Sequence, residues 1–447
     1  MTTQQQQAPA LTSEPDQSAS PGAAKDSARD TSHSASRHCI VVGAGVIGLC
    51  TAIALQRQGV QVTLVDRLGI GEGCSKGNAG HFATEQVFPL AQASLLPQLP
   101  RMLLDPLGAL RISPGYMFRA IPWFMRFLAN MRPAVFKRNT ASLRALNEGA
   151  LAAWERLVSQ SNCRELLIRH GSLLTFESPS LSTARAIQAM YQSQEVEVEL
   201  LERDALDALQ PGLHGNITHA LHFTQVGHTS SPYQLSQALY RHACELGVTF
   251  MQAEVIRIDA HNEKVQLVTD LGLLTADSLV VCTGAFSKSL CQGLGYQVPL
   301  DTERGYHYMV SSEHMPLMPI TSYEKKFILT PMSDGLRLAG TVEFAGLAQA
   351  PNYVRADRLR QLGESIWPEL RDDKHDADKR WMGFRPTLPD SLPVIGKAPG
   401  HDRVFFNFGH QHLGLTLAAF SAELLADELL GNTPAVSLRP YSIARFN

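Results

Sequence analysis

The sequence predicts an α/β fold of two domains, one built on a parallel sheet wound with helices and a second of α+β type. Three observations predict it. At 447 residues the chain is too long for one ordinary domain. A strand, a glycine-rich loop, a helix and a second strand follow one another between Cys39 and Asp66. Apolar strands recur at 279–283 and 404–408, and each runs into a glycine, as buried parallel strands do beside a ligand.

Composition narrows the classes of function. The formal net charge is −3 and 18% of the residues are charged, so no basic surface for nucleic acid is expected. The seven cysteines include no C-x-x-C pair, which is typical of reduced thiols in a cytoplasmic protein. No apolar run reaches the roughly 18 residues that a membrane span requires. Residues 1–37 contain almost no large apolar side chains and are predicted to be a disordered tail without an export signal.

The first glycine motif, G-A-G-V-I-G, predicts a dinucleotide site. Gly43 makes the tight turn off the first strand, and Gly45 lets the backbone approach a pyrophosphate. Gly48 lets the helix pack closely on the sheet, while Asp66 at the end of the next strand can accept hydrogen bonds from a ribose. The predicted contacts of this unit are Gly43, Gly45, Val46, Ile47, Gly48, Asp66 and Arg67.

Later elements return the chain to the same domain. Ser231 and Pro232 predict a helix N-terminus, with the helix running to about Leu246, and residues 248–258 alternate like a strand. An amphipathic helix is predicted from Leu415 to Leu430, closed by Gly431. The predicted cofactor domain therefore comprises 38–85, 230–300 and 383–440. The predicted second domain comprises 86–229 and 301–382.

The segment 87–144 is apolar, broken by prolines and basic. Between Pro106 and Asn147 it has seven basic residues and no acid. One interpretation is an amphipathic surface that rests on anionic lipid at the cytoplasmic face of the inner membrane. The other is a set of short helices in the second domain with solvated arginines, because the prolines prevent a long amphipathic helix. The basic residues are Arg111, Arg119, Arg126, Arg132, Lys137, Arg138 and Arg144.

Taken together, the motifs resemble the D-amino-acid oxidase and glycine oxidase superfamily of FAD enzymes, and most closely its bacterial D-amino-acid dehydrogenase branch. The resemblance spans about residues 39–430. It rests on five motifs. These are G-A-G-V-I-G at 43–48, S-K-G-N-A-G at 75–80, V-C-T-G-A at 281–285, G-F-R-P at 383–386, and G-H at 409–410 followed by L-G-L-T at 413–416. The resemblance implies a two-domain fold with a Rossmann-like FAD domain.

The resemblance also implies the remaining flavin contacts. The helix beginning near Gly414 directs free N–H groups above the sheet, where they would stabilise reduced flavin and so favour FAD over NAD. His410 and His412 are spaced like a zinc pair, but no third ligand accompanies them and no metal is expected. The implied cofactor contacts are Ser75, Asn78, Ala79, Gly80, His81, Val255, Thr283, Gly284, Ala285, Gly383, Gly409, His410, Leu413, Gly414, Leu415 and Thr416.

Two residues are candidates for the substrate site. In the resemblance, Arg385 of G-F-R-P binds the substrate carboxylate with two parallel hydrogen bonds, a geometry that a guanidinium supplies. Tyr306, in the segment E-R-G-Y-H-Y, corresponds to an aromatic wall of the substrate site or, alternatively, to sheet packing. No Gly-x-Ser-x-Gly elbow or other nucleophile set appears.

The expected activity is oxidative deamination of D-amino acids to 2-oxo acids and ammonia, with hydride transfer from Cα to flavin N5. The expected electron acceptor is a quinone or another respiratory acceptor, and oxygen remains open. Alternative substrates are a cyclic imino acid such as D-hydroxyproline, or an N-substituted glycine such as sarcosine. A flavoprotein module for tRNA modification, or a binding protein without turnover, belongs to a different class, and the low basic charge weighs against RNA.

Overall fold

The computed structural model describes residues 37–97, 105, 107–260, 263–372 and 376–446. The predicted disordered tail, 1–37, lies outside the described residues except for Arg37. The helices are α1 (Val46–Arg57), α2 (Met117–Asn130), α3 (Pro133–Gln160), α4 (Leu181–Gln192), α5 (Arg203–Leu209), α6 (Pro232–Glu245), α7 (Ser287–Gly293), α8 (Val354–Gly363) and α9 (Gly414–Leu430).

The strands follow the same chain order. They are β1 (His38–Val42), β2 (Gln61–Asp66), β3 (His81–Phe82), β4 (Leu110–Ile112), β5 (Ser172–Phe176), β6 (Glu199–Glu202), β7 (His219–Phe223), β8 (Gly227–His228), β9 (Thr249–Gln252), β10 (Val255–Asp259), β11 (Val265–Thr269), β12 (Gly272–Ala276), β13 (Ser278–Val281), β14 (Asp301–Val310), β15 (Ile320–Ser322), β16 (Phe327–Met332), β17 (Gly335–Phe344), β18 (Arg380–Thr387), β19 (Val394–Lys397) and β20 (Val404–Phe408).

The first sheet has the order β19-β20-β13-β1-β2-β9, and all its pairs are parallel except β19 with β20. β1 is buried along nearly its whole length, which suits a central strand covered on both faces. Because the parallel strands end at one edge, the loops that follow β1, β2, β13 and β20 meet there. These are the loops that carry the predicted cofactor motifs.

α9 lies in the interior of this layer. Twelve of its 17 residues are buried, since it packs against α1, α3 and the sheet. The prediction of a helix is confirmed, but the prediction that it is amphipathic is wrong. An amphipathic helix is buried along one face, whereas α9 is buried on most of its faces. The predicted end is confirmed, as Gly431 closes the helix with a φ of 81°.

α3 joins the same hydrophobic core. Its Leu143, Leu146 and Trp154 pack in one cluster with residues of α1 and α9. The Trp154 indole N–H also donates to the carbonyls of Leu415 and Thr416, at 2.8 and 3.1 Å. α3 therefore packs with the cofactor-binding layer, although its residues fall in the segment 86–229 that was assigned to the second domain.

The second sheet has the order β18-β14-β17-β16-β15-β5-β7-β6, with β4 paired to β17. Its long central ladder, β18-β14-β17-β16, is antiparallel. Both sheets lie in one compact unit. The predicted domain boundary at residue 383 cuts through β18, which pairs with β14 along residues 380–387.

The predicted helix at Ser231 is confirmed, since the Ser231 hydroxyl accepts a hydrogen bond from the Gln234 N–H at 3.2 Å. The single strand predicted over 248–258 is wrong. The chain turns at Glu254, whose N–H donates to the Asp270 carboxylate at 2.8 Å. β9 therefore ends the first sheet, and β10 starts a separate three-stranded sheet with β11 and β12.

No helix in the described ranges is both long enough and apolar enough to cross a bilayer.

Gly48 offers a direct test of the close packing between α1 and the sheet. A Cβ at this position would lie 1.7 Å from the Gly43 carbonyl oxygen. We expect Gly48→Ala to lower the free energy of unfolding of the apoprotein by about 2 kcal/mol or more, because the backbone must shift to admit the methyl group. Urea denaturation measures this change.

The matched control is Gly293→Ala, which also replaces a helical glycine. A Cβ at Gly293 meets nothing within 4 Å, so this variant should be neutral or slightly more stable. Equal unfolding free energies for the two variants would show that the approach of α1 to Gly43 is not a constraint.

Candidate cofactor and substrate site

The glycine loop after β1 leaves no room for side chains. Gly43 has a φ of 107°, and a Cβ there would lie 2.5 Å from the Cys282 carbonyl oxygen. The Gly43 N–H donates to the Val65 carbonyl at 2.7 Å, which fixes the turn between neighbouring strands. The loop therefore brings bare backbone to the N-terminus of α1, as a pyrophosphate site requires.

Asp66 and Ser75 border this loop. One Asp66 carboxylate oxygen accepts from the Ala44 N–H at 2.8 Å, and the other accepts from the N–H groups of Leu68 and Gly69 at 2.7 and 3.1 Å. The Ser75 hydroxyl accepts from the Val46 N–H at 2.9 Å. Ser75 therefore lies at the N-terminus of α1, where a pyrophosphate is expected.

The Asn-Ala-Gly loop is fixed from several sides. The Asn78 side chain accepts from the Gly80 N–H at 2.8 Å, and the Gly80 carbonyl accepts from the Thr229 N–H at 2.7 Å. The buried Arg337 guanidinium on β17 donates to the Asn78 carbonyl at 2.6 Å. A Cβ at Gly80 would meet the Met332 methyl at 2.7 Å. Arg337 and Met332, which sequence analysis missed, thus hold the loop against the second sheet.

The loops after β2 and β13 lie on the outer side of the dinucleotide site. Arg67 stacks on the Phe286 ring at 4.0 Å. The Thr283 hydroxyl lies 3.0 Å from that of Ser287, and Gly284 has a φ of 54°. Val255 is the first residue of β10.

The N-terminus of α9 presents free donors. Leu413, its N-cap residue, makes no capping hydrogen bond with its side chain, and no acidic residue occupies the first turn. The Thr416 hydroxyl accepts from the Ala83 N–H at 2.9 Å, which ties this helix end to the segment after the Asn-Ala-Gly loop. The helix therefore offers unpaired N–H groups and a positive dipole end to an anionic group.

Burial holds two histidines at this helix end, His410 and His412, neutral. Burial lowers the pKa of His410 to about 3, and its Nε2 has no hydrogen-bond partner in the described structure. Burial, the positive charge of Arg385 and then His81 lower the pKa of His412 to about 4. His81 Nε2 and Glu85 Oε2, 3.8 Å apart, are both buried without a hydrogen-bond partner among the described residues.

Arg385 has a free guanidinium. Its one hydrogen bond within the described ranges is a long contact of 3.4 Å to the Thr341 carbonyl, and no described carboxylate lies within ion-pair distance. Its Cζ would lie 2.5 Å from a Cβ at Gly305, so the absence of a side chain there lets the arginine cross the strand. Arg385 can therefore bind an incoming carboxylate with two hydrogen bonds.

Tyr306 does not share this space. Arg385 pairs with Glu303 across β14 and β18, and Tyr306, three residues further along β14, points to the opposite face. Its ring is buried in the hydrophobic core between the second sheet and α8. Its hydroxyl donates to Glu343 Oε2 at 2.5 Å and accepts from the Asn352 N–H at 3.0 Å. The predicted substrate contact of Tyr306 is corrected to sheet packing.

The face that carries Arg385 has other aromatic side chains. His307 stacks on Trp381 at 5.0 Å between ring centroids, and its Nδ1 lies 3.1 Å from the Gly77 carbonyl. A Cβ at Gly383 or Gly77 would lie within 2.3 Å of the Trp381 ring. Sequence analysis missed His307 and Trp381, although strand alternation could have placed His307 opposite Tyr306.

These features fit FAD. The glycine cradle and the N-terminus of α1 suit the pyrophosphate, and Asp66 lies at the end of β2 where a ribose is expected. The uncapped N-terminus of α9 suits the electron-rich edge of a reduced flavin. The unpartnered nitrogen of His410 lies just before that helix. No group of three or more metal ligands occurs in the part of the chain that the structure describes.

Arg337→Met tests whether this side chain holds the flavin loop. We expect about a tenfold weaker affinity for FAD, because the Asn78 carbonyl loses a charge-assisted hydrogen bond. Titration of the apoprotein with FAD measures the dissociation constant. Arg358→Met removes an exposed arginine and should leave this constant unchanged. Equal affinity in the two variants would contradict the assigned role of Arg337.

The pKa of His410 predicts a pH dependence of stability. The folded-state pKa of about 3 lies below the ordinary value of 6.5, so the unfolded chain binds more protons between these values. The contribution to stability is therefore complete above pH 6.5 and is lost as the pH falls toward 3.

We expect the free energy of unfolding of His410→Gln to fall less steeply with acid than that of wild type. The difference should be up to about 1.4 kcal/mol per pH unit. Urea denaturation at several pH values between about 7 and 4 measures it. The exposed His314, replaced by Gln, is the control and should follow the wild-type slope. Parallel slopes for wild type and His410→Gln would refute the prediction.

Comparison with known proteins identifies the family of this chain. A family model described as "DAO: FAD dependent oxidoreductase" matches residues 38–428. A D-amino-acid oxidase from Bradyrhizobium diazoefficiens is 35% identical over 418 residues, which cover 92% of this chain and 99% of that protein. D-amino acid dehydrogenase 2 from Ralstonia nicotianae is 31% identical over 424 residues, which cover 91% of this chain and 99% of that protein.

Solved structures agree on the fold. Glycine oxidase from Geobacillus kaustophilus has a TM-score of 0.71 at 20% identity, covering 92% of this chain and 99% of that chain. Iminodiacetate oxidase from Chelativorans sp. BNC1 has a TM-score of 0.69 at 19% identity, covering 90% of this chain and 98% of that chain. The predicted α/β fold with a Rossmann-like sheet and the predicted cofactor, FAD, are confirmed. The chain belongs to the DAO family of FAD-dependent oxidoreductases.

Proposed function

We propose that this enzyme oxidises D-amino acids to 2-oxo acids and ammonia and passes the electrons to a quinone. The observation that carries the proposal is the guanidinium of Arg385, which crosses Gly305 and makes one long hydrogen bond within the described ranges. The names of the two relatives, a D-amino-acid oxidase and a D-amino acid dehydrogenase, support an amino-acid substrate.

The cofactor and Arg385 have different roles in the proposed reaction. Bound FAD would supply the chemistry of accepting a hydride from the substrate Cα. Arg385 binds the carboxylate in a fork of two hydrogen bonds, which fixes the direction of the Cα–H bond. Orientation of this kind can be worth roughly 7–11 kcal/mol, so no protein acid or base is obligatory for the oxidation step.

Charge in the site favours one orientation of the substrate. Burial keeps His410 and His412 neutral at physiological pH. Arg385, which interacts electrostatically with the neutral His412, is therefore the cation that would meet the carboxylate. The released imino acid then hydrolyses in water to the 2-oxo acid and ammonia.

A secondary amine is the alternative substrate. The same arginine fork would hold the carboxylate of a cyclic imino acid or of an N-substituted glycine. Trp381, stacked on His307 beside Arg385, borders the space where a side chain or an N-substituent would lie. We expect the preference between these substrates to depend on the Trp381 and His307 side chains.

A different part of the molecule supports the choice of electron acceptor. The basic, apolar segment that includes α2 favours a dehydrogenase in peripheral contact with the cytoplasmic face of the inner membrane, where quinone is available. Oxygen is the alternative acceptor. Its consumption by the lipid-free enzyme at the full rate of turnover would oppose the quinone.

The test of the proposed function is anaerobic mixing of the FAD-loaded enzyme with D- and L-amino acids, proline derivatives and sarcosine. Bleaching of the oxidised flavin band by D-amino acids is the expected result. We expect Arg385→Met to lower kcat/KM about 10²- to 10³-fold, because the carboxylate loses two charge-assisted hydrogen bonds.

The control for that variant is Arg380→Met on the same strand. Arg380 lies on the opposite face of β18 and pairs with Asp357, so its loss should leave kcat/KM nearly unchanged. Bleaching only by secondary amines would replace the proposed substrate with the alternative. Unchanged kinetics in Arg385→Met would remove the amino-acid proposal.

A further inference from the structure

α2 exposes a continuous apolar row. Phe118 is 85% exposed and Met125 is 63% exposed, values far above those of ordinary surface phenylalanine and methionine. At 3.6 residues per turn, the exposed apolar positions of the helix fall within an arc of about 100°. These positions are Met117, Phe118, Ile121, Met125 and Leu128.

The prolines were expected to prevent a long amphipathic helix, and the structure has a helix of moderate length here. α2 runs for 14 residues with Pro122 inside it. Pro122 has no N–H to donate to the carbonyl one turn earlier, so α2 lacks one hydrogen bond of its ladder but continues to Asn130. The helix therefore persists and carries its apolar row on one side.

Positive charge surrounds this row. Five basic side chains on α2 and the start of α3 are exposed, and none of them lies within 4.0 Å of a carboxylate in the described ranges. No acidic residue occurs between residues 106 and 147 to offset them. This combination matches an anionic bilayer, which attracts basic groups at its surface and accepts apolar side chains below it. The five are Arg119, Arg126, Arg132, Lys137 and Arg138.

The inner side of α2 packs beside the substrate site. The rings of Trp123 and Phe124 lie 5.1 and 5.0 Å from that of Phe344 on β17. Phe344 pairs with Glu303 on β14, and Glu303 pairs with Arg385 on β18. Residues paired directly across strands point to the same face of a sheet, so α2 covers the face that carries Arg385.

We propose that α2 docks the enzyme on an anionic lipid bilayer and holds the Arg385 side of the active site against the lipid surface. Its apolar row enters the interface, and the five basic residues contact the lipid headgroups. On the proposed function, in which quinone is the acceptor, this placement lets the enzyme reduce quinone where the quinone is dissolved.

A second exposed apolar patch does not have these properties. Ile256, Leu271 and Leu273 are exposed on the sheet formed by β10, β11 and β12. Acidic residues at Glu254 and Asp270 adjoin that patch together with Arg257, so it lacks the uniformly positive charge that surrounds the row on α2. The patch therefore serves as the matched control.

The experiment is co-sedimentation of the FAD-loaded full chain with lipid vesicles. The vesicles contain phosphatidylglycerol with phosphatidylethanolamine, or phosphatidylcholine alone. We expect the wild type to bind the anionic vesicles at least tenfold more tightly than the neutral ones, and to dissociate when salt rises from about 0.1 M to about 1 M. The double variant Phe118→Ser with Met125→Ser should bind at least tenfold more weakly.

The control double variant, Ile256→Ser with Leu273→Ser, should bind the vesicles like the wild type. Retained FAD in both double variants, read from the flavin absorbance, shows that the fold is intact. Equal binding by the wild type and the α2 variant would overturn the proposal, and so would equal binding of the wild type to anionic and neutral vesicles.

Reduction of a short-chain quinone in lipid-free solution is measured separately. Failure of this reaction, with vesicle binding that depends on α2, would remove quinone from the proposed function and leave the docking surface. Quinone reduction without vesicle binding would keep quinone as the acceptor in the proposed function and would remove the docking surface.

Discussion

The site depends on how closely the backbone of α1 approaches the loop after β1. The Gly43 carbonyl lies where a side chain of Gly48 would stand, and the Cys282 carbonyl lies where a side chain of Gly43 would stand. This contact sets the position of the α1 N-terminus over the carboxyl edge of the sheet. Ser75 binds the first N–H of α1, and α9 packs along the same helix, so the positions of both depend on it.

Charge in the site is controlled by burial. His410 and His412 beside α9 are neutral because burial lowers the pKa of both. The Arg385 guanidinium acts electrostatically on the buried Glu303 but lies within ion-pair distance of no described carboxylate. The Arg337 guanidinium, whose pKa burial lowers to about 10, donates to the backbone carbonyls of Lys76 and Asn78. The two arginines, on the strands β17 and β18 that flank β14, thus differ in their hydrogen-bond partners, so that one holds a loop and the other is available to an anion.

The sequence predicted the elements whose determinants are local. The glycine loop, the serine cap of α6 and the end of α9 at Gly431 each need particular residues at fixed spacing, and each is where it was expected. Tyr306 was misplaced because its neighbourhood depends on the phase of β14, which is set by pairing with β18. Arg337 was missed because its task is defined by a loop about 260 residues away in the chain.

The origin of the structural elements in distant parts of the chain has a consequence for assembly. β1 must pair with β13, and β13 with β20, while α9 rests on a tryptophan supplied by α3. Contacts of such large sequence separation form late, because closing long loops costs entropy before it is compensated. The apolar face of α1 therefore stays uncovered during synthesis until α9 arrives. A nascent chain would depend on chaperones through that interval, and FAD could be enclosed only as one of the last events of folding.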